Sequence, residues 1–418
     1  MNGISHTGHM WRRMFFTSAS LALLLTICAR AQLLDKLDDN LFFRSSNGFF
    51  RTDLSVVTDL ETYTMDGPAP GLIFDDDRFL FHPRLSLFLD SHLGKHFYSS
   101  VQARFDRGID PGLAPDGEAR VDEYLVRWTP LAEPTINLQV GKFATVVGNW
   151  VPRHDTWNNP FITGPLPYDH FTTVSDFGIA DSLRTFVARR DRQDQKGTWL
   201  PIVWGASYAS GGAIFGRVER FDYAFEMKNA SISSRPFIWE ATDRGWEDPT
   251  FSMRLGYRPN ATWNVGASAS SGAYLKEEAA ENPFFPAGDS AGDYRQITVA
   301  SDISYAWRGL QIWGEAFASR FEIPNVGDLE TISWYVETKY KLTPHFFVAG
   351  RINHQFFDRV IVDGRGERWD RETWRADVAL GYRFNRHWQA KAQFSHYWQT
   401  GPSVLAQNVL ATQLTLKF

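Results

Sequence analysis

Cysteine is almost absent from this 418-residue chain: Cys28 is the only one. A disulfide framework is thereby excluded, as is any chemistry that needs a pair of thiolates. Long hydrophobic runs are missing too. After the N-terminal 31 residues no apolar stretch reaches the ~18–20 residues that a membrane helix needs, so crossing a bilayer as helices is excluded. No excess of positive charge is present, with 43 Lys and Arg against 48 Asp and Glu, which argues against general nucleic-acid binding. The motifs G-x-S-x-G and H-E-x-x-H and a phosphate-cradling glycine loop are lacking as well. Aromatic residues, by contrast, are abundant. They make up 15% of the chain, with 16 Trp and 33 Phe, alongside 22% charged residues. A polar average combined with many aromatics suits a barrel in which only every second residue meets lipid.

The chain begins with a basic pair, Arg12 and Arg13, then an apolar stretch from Met14 to Ile27, then Ala29-Arg30-Ala31. This order predicts an export signal over residues 1–31, cleaved before Gln32, which also removes Cys28. Losing Arg12, Arg13 and Arg30 takes the 43 basic residues to 40 against 48 acidic ones. Residues 32–48 are expected to form a periplasmic lead-in, with a short helix or disordered stretch over 35–41.

From residue 49 to 418 the apolar period is two. In "WYVETKYKL", Trp334, Val336, Thr338, Tyr340 and Leu342 share one face, and Tyr335, Glu337, Lys339 and Lys341 the other. "FFVAGRINHQF", "DVALGYRF" and "WQAKAQFSHYW" repeat the pattern. The last ten residues, "VLATQLTLKF", place Leu410, Leu414, Leu416 and Phe418 together. Consistent alternation over whole strands predicts one oily face and one wet face. Short turns at 92–96, 130–134, 259–261, 308–309, 343–345 and 385–387 alternate with long loops rich in Gly and charge, such as "DRGIDPGLAPDGEA". Trp263, Trp307, Trp334, Trp388 and Trp398 sit near strand ends, as girdles at two membrane interfaces require. The fold class expected is therefore all-β: a transmembrane antiparallel barrel of 16–18 strands, with short periplasmic turns and long extracellular loops. Parity favours 18 if "SRPFIWEA" (234–241) is a strand, and 16 if the weaker segments near 183–209 are not. Phe418 resembles the terminal aromatic by which barrel-assembly machinery sorts outer-membrane proteins.

One stretch breaks the period: "GKFATVVGNWVPRHDTWNNPFITGPLPYDHF", residues 141–171, carries Pro152, Pro160, Pro165 and Pro167, which cannot donate to a strand ladder. An inward-folded loop over 144–180 is expected, narrowing the barrel near Lys142, Arg153, His154, Asp155, Trp157, Asn158 and Asn159. The lumenal faces mix signs: Arg84, Arg104, Arg254, Arg351, Arg383 and Lys391 stand against Asp90, Asp106, Glu226, Asp302, Glu337 and Asp377. Such walls set up transverse fields rather than a filter of one sign.

"GKFATVVG", with "NASISSRP" (229–236) and "RLGYRPNATWNVGASAS" (254–270), resembles the phosphate-selective porin O and P family and its uncharacterised relatives. That resemblance implies a trimeric porin with an inward loop. The lumenal Lys and Arg ladder behind phosphate selectivity is not reproduced by these mixed walls, so phosphate selectivity is not carried over. The expected function is passive diffusion of small hydrophilic solutes or ions through an outer-membrane barrel; the alternatives are a channel selective for phosphate, a sugar or an organic anion, or a barrel enzyme. No catalytic residue, metal site or cofactor is expected, since His154 beside Asp155 reads as a hydrogen-bonded surface pair. Outer-membrane lipid and lipopolysaccharide are the expected surroundings; Arg365, Arg368, Arg371 and Arg375 read first as a solvated loop, with contact to lipopolysaccharide or attraction of anions as the alternative. Asp75, Asp76 and Asp77 read as a solvated charge run, and the Asn229 and Asn260 sequons as turns.

Overall fold

A computed structural model describes residues 34–36, 38–68, 71–73, 77–108, 117–236, 246–401 and 406–418. The export signal, Asp75, Asp76 and residues 237–241 lie outside them.

Sixteen strands form a closed antiparallel barrel. They are β1 (Phe50–Met65), β2 (Phe79–Leu93), β3 (Phe97–Asp106), β4 (Glu118–Trp128), β5 (Asn137–Phe143), β6 (Ala209–Val218), β7 (Phe221–Lys228) and β8 (Thr250–Tyr257), followed by β9 (Trp263–Ala273), β10 (Arg295–Trp307), β11 (Leu310–Ile323), β12 (Gly327–Lys341), β13 (Phe346–Phe357), β14 (Thr373–Arg383), β15 (Trp388–Gln399) and β16 (Asn408–Lys417). Each pairs with its neighbour in sequence. β16 closes on β1, from Val409 opposite Met65 to Lys417 opposite Val57.

Of the two counts expected, 16 and 18, the barrel has 16. β7 and β8 pair directly, Phe221 opposite Tyr257 and Lys228 opposite Thr250, leaving no place for a strand between them. The segments near 183–209 are not strands of the wall. Ser182 caps a short helix, Leu183–Ala188, by accepting the Thr185 N–H, and an irregular run follows to β6.

Alternation sorts the side chains by solvent. On β12, Tyr335, Glu337 and Lys339 are buried inward, while Val336 and Tyr340 are exposed outward. On β14, Asp377 and Ala379 face in, whereas Val378 stands 59% exposed on the outer surface. Trp128, Trp263, Trp307 and Trp398 are exposed near strand ends. Turns such as Arg308–Gly309 gather at one end and the long connections at the other. The exception is the three-residue link 324–326 between β11 and β12, at the long-loop end, where Asn325 takes φ +62°.

The lead-in does more than precede the barrel. Its residues Phe42–Arg44 pair with Arg51–Asp53 of β1. β16 ends where Phe418 exchanges backbone hydrogen bonds with Val56, 3.0 and 2.6 Å. Leu54 N–H then donates to Leu41 at 2.8 Å, so the lead-in continues the same column and pairs β1 groups that β16 is too short to reach. Asp35, farther back, binds the turn before β15 through Arg386 (2.5 Å) and His387 (2.8 Å).

Candidate functional site

Residues 144–208, between β5 and β6, run inside the barrel. Gly148 takes φ +80°, and a Cβ there would meet the Tyr168 hydroxyl at 2.0 Å, so glycine permits the turn that carries the chain inward. Pro152 and Pro167 sit in the first turns of the short helical pieces Val151–Arg153 and Leu166–Asp169, where a missing N–H costs nothing.

Lumenal side chains from half the barrel satisfy this inner segment. Thr145 donates to Glu226 of β7 (2.7 Å), and Gly148 N–H to Ser268 of β9 (3.2 Å). Asn149 N–H and the Tyr168 hydroxyl donate to Glu315 of β11, at 2.8 and 2.5 Å. Arg153 pairs with Glu337 of β12 and lies over Trp313 at 4.4 Å. Arg351 of β13 donates to the Thr163 carbonyl (3.1 Å), and Arg375 of β14 pairs with Asp169 (2.9 Å). Lys391 of β15 donates to the carbonyls of Thr156, Asn159 and Phe161, at 2.8, 3.1 and 3.2 Å. Each bond takes a wall charge or a loop polar group out of water while keeping it partnered.

At the long-loop end a second layer covers the same half of the barrel. Phe171, Phe186, Trp199 and Leu200 of the inner segment pack with Tyr274 and Leu275, with Phe321 of β11, and with Phe357 and Trp369. Asp370 joins this layer by accepting the Thr173 N–H at 2.7 Å. Burial pushes its carboxyl up to about 6. A raised acid pKa means that the undocked state ionises first as pH rises from about 4 to about 6. Docking of residues 171–175 therefore weakens across that window, by on the order of 2–3 kcal/mol, and is level above it. Proteolytic nicking of the segment should rise between pH 4 and pH 6, and Asp370→Asn should flatten that dependence.

Open space remains on two sides: about 290 Å³ lies against β4 to β8, between Arg127, Gln139 and Arg254 on the wall and Ala144 and Val146 of the inner segment, and the rest lies against β1 to β4. A cavity of about 520 Å³ extends toward the short-turn end between Asp59, Arg84 and Arg104 on the wall and His154, Asp155, Trp157 and Asn158 on the inner segment. Another of about 230 Å³ extends toward the long-loop end along Glu61, His82, Asp106, Arg120 and Asp122. Both share one ring of residues: Arg84 and Arg104 on the wall, facing Ile162, Gly164, Gly205, Ala206 and Tyr208.

The wall at this ring is a dense ion-pair network. Arg84 binds Asp59 at 3.3 Å and also Glu61. Arg104 reaches Asp122 at 3.0 Å, and Arg120 binds Asp106 and, at 2.7 Å, Asp122. Arg104 and Arg120 stand directly opposite each other across β3 and β4, a like-charge pairing that costs stability unless carboxylates offset it. The guanidinium side chains of Arg84 and Arg104 keep 16% and 18% of their surface, while those four carboxylates keep 4% or less. Solvent in the lumen therefore meets N–H donors first.

Of the expected narrowing residues, His154, Asp155, Trp157, Asn158 and Asn159 line the larger cavity, beside the ring rather than in it. Arg153 is on the opposite side, held by Glu337, and Lys142 is buried in the wall, donating to the Val121 carbonyl at 3.1 Å beside a bulge in β4. Trp157 lies between two cations, Arg383 at 5.1 Å and Lys417 at 5.5 Å. His154 does not pair with Asp155. Its Nδ1 donates to the Val151 carbonyl and its Nε2 accepts from Tyr208 (2.9 Å), and burial holds its pKa below the usual value, so it stays neutral. Asp155 instead accepts the Trp157 N–H and the Asn158 amide, at 2.8 and 2.7 Å.

Among the lumenal charges, Arg254 bridges Asp222 and Asp302, both at 2.8 Å, and Asp106, Glu226 and Arg383 also face inward. Asp90 accepts the Tyr98 hydroxyl at the short-turn end of the lumen. The group Arg365, Arg368, Arg371 and Arg375 is divided. Arg375 is fully buried in the lumen, Arg368 binds Glu372 at 3.1 Å, and Arg371 binds Asp191. Asn260 makes a turn, its side chain accepting the Thr262 N–H at 2.8 Å. The ring residues Gly205, Ala206 and Tyr208 escaped sequence reasoning, since "WGASY" carries no charge pattern. Arg84 and Arg104 were expected in the lumen; the cue that could have added Arg120 was a third arginine on the inward register of the next strand.

No protein-family model matches this chain, and no curated protein matches it by sequence. Solved structures do. OmpF of Salmonella typhi, in complex with daunomycin, aligns over 90% of this chain and all of its own, at 10% identity and a TM-score of 0.57. An anion-selective porin from Comamonas acidovorans aligns over 88% of this chain and all of its own, at 10% identity and a TM-score of 0.54. The outer membrane channel DcaP of Acinetobacter baumannii aligns over 90% and 99%, at 10% identity and a TM-score of 0.54. At such identities the likeness is one of architecture: this chain has the closed 16-stranded barrel fold of outer-membrane porins.

Proposed function

We propose that the protein is an outer-membrane porin through which small hydrophilic solutes diffuse passively, and that it is not an enzyme. One observation carries the reading. The barrel turns an apolar surface outward, and charged cavities remain inside between β1–β4 and the inner segment 144–208, which we read as one passage. The ring at Arg84, Arg104, Gly205 and Ala206 is its narrowest part, and the opposed lumenal charges shape the field there. Because residues 144–208 are hydrogen-bonded to strands β7 to β15, the passage is displaced from the barrel axis toward β1–β4. The predicted export signal and Phe418, which ends the chain on the seam strand, favour export and assembly by the barrel machinery. Homotrimer formation follows by analogy with porins, and lipopolysaccharide is the expected neighbour of the long-loop end. Phosphate selectivity, implied only by the porin O and P resemblance, is not part of this reading.

Proteoliposome swelling tests the function. Vesicles holding the purified barrel should swell in monosaccharides and stay shrunken in dextran; no swelling in any sugar would refute it. The oily outer face has its own test. Val378→Arg places a guanidinium in mid-strand on that face and should destabilise the barrel in lipid by about 2–4 kcal/mol. Thr415→Arg, on the inward face of β16, should not carry that lipid penalty. Urea unfolding in vesicles would show the difference.

A further inference from the structure

The proposal above leaves open which solutes the ring favours, and its two sides differ in a way that bears on this. Arg104 makes a single contact with a carboxylate, Nε to Asp122. Its terminal Nη atoms make no hydrogen bond among the described residues, and they belong to a side chain that lines both cavities. Arg84 donates through Nε and Nη2, which leaves Nη1 over. The wall thus offers unspent planar N–H donors at the narrowest point. Across from them stand Ile162, Gly164, Gly205 and Ala206, with no charged side chain; Asp155 and Asp169 of the inner segment each line only one cavity, away from the shared ring.

The geometry points to small organic acids with an apolar body as the solutes that bind at this ring: the carboxylate on the free guanidinium donors of Arg104 and Arg84, the apolar body along Ile162 and Ala206. A fork of N–H donors matches a carboxylate in two parallel bonds, which a lysine ammonium cannot do. An inorganic oxyanion can take the same fork, but it has no apolar body to cover Ile162 and Ala206. The carboxylates behind the arginines keep the net charge low, so selection rests on hydrogen-bond geometry rather than on charge alone. This inference rests on the porin reading and refines it.

Block of the chloride current in planar bilayers tests it, with potassium butyrate, potassium phosphate and glucose as probes. Butyrate should block at a lower concentration than phosphate, and glucose should not block. Arg104→Gln should raise the half-blocking concentration of butyrate by about tenfold or more, the share of a charge-assisted pair. Arg104→Lys, which keeps the charge but loses the fork, should raise it severalfold. Asp122 retains Arg120 in both variants, so the wall network persists, and heat-modifiable mobility on gels checks that each barrel is folded. Equal butyrate block in wild type and Arg104→Gln would overturn the inference, as would phosphate blocking at lower concentration than butyrate. Absence of any chloride current would instead overturn the porin reading itself.

Discussion

Ala206→Trp should cut single-channel conductance by about an order of magnitude, because an indole added at the ring fills a gap only a few side chains wide. Ala206 belongs to both cavities and is the smallest side chain facing Arg84 and Arg104. Its neighbour Gly205 has φ +52°, so a substitution there would strain the backbone as well as fill the lumen, and Ala206 is the cleaner site. The control is a tryptophan where the inner segment already occupies the lumen edge: Asn158→Trp lines the wider cavity and should lower conductance far less. Planar-bilayer recording of both variants measures the effect, with heat-modifiable mobility on gels showing that each barrel is folded. Equal conductance in wild type and Ala206→Trp would place the narrow point elsewhere.

Asp377→Ala should destabilise the barrel by about 3–5 kcal/mol, the largest stability effect expected of a single polar substitution here. Asp377 is 1% exposed and accepts from Arg351 Nε at 2.7 Å, from Arg375 Nε at 3.1 Å and from Asn353 at 3.0 Å. Arg375 is itself fully buried. Without the carboxylate, two buried guanidinium groups on neighbouring strands would face each other, and only Asp169 and Glu337 would remain to offset them. Both arginines also hold the inner segment, through Gly164 and Thr163. The lost stability should therefore come with a higher and noisier conductance, as residues 163–169 leave the wall. Asp377→Asn keeps the shape and part of the hydrogen bonding and should lose less. Urea unfolding in lipid vesicles compares the two.

The barrel was legible because its signal repeats. Alternation in "WYVETKYKL" and "DVALGYRF" is imposed by two solvents, and every strand restates it. The strand count was harder. A segment such as 183–209 mixes apolar and charged residues at no fixed period, and the helix at Leu183–Ala188 depends on one cap, Ser182, that looks like any other serine. The inner segment was legible through what it breaks, since its prolines cannot join a ladder. Which of its residues stand where the two cavities meet was not. Charged and aromatic residues drew attention to Arg153–Asn159; Arg153 pairs with Glu337, His154 to Asn159 line the larger cavity, and Gly164, Gly205 and Ala206 stand where the two cavities meet. A narrow place is defined by how near two backbones come, and small residues mark it without any pattern in sequence. Of the wall arginines, Arg84 and Arg104 were named and Arg120 was not, and their clustering depends on strand register: Arg104 opposite Arg120, and Ser86 rather than Arg84 opposite Arg104.

The account depends above all on water filling the β1–β4 side of the lumen while the inner segment covers the wall of β11 to β15. Cysteine scanning under voltage tests that directly, because the mature chain is expected to have no cysteine of its own. A charged thiol-reactive reagent should block current through Ala206→Cys within seconds. It should leave Ala349→Cys untouched, although Ala349 faces the same lumen, because Phe161 of the inner segment covers it. Rapid block at Ala349→Cys with none at Ala206→Cys would contradict the account.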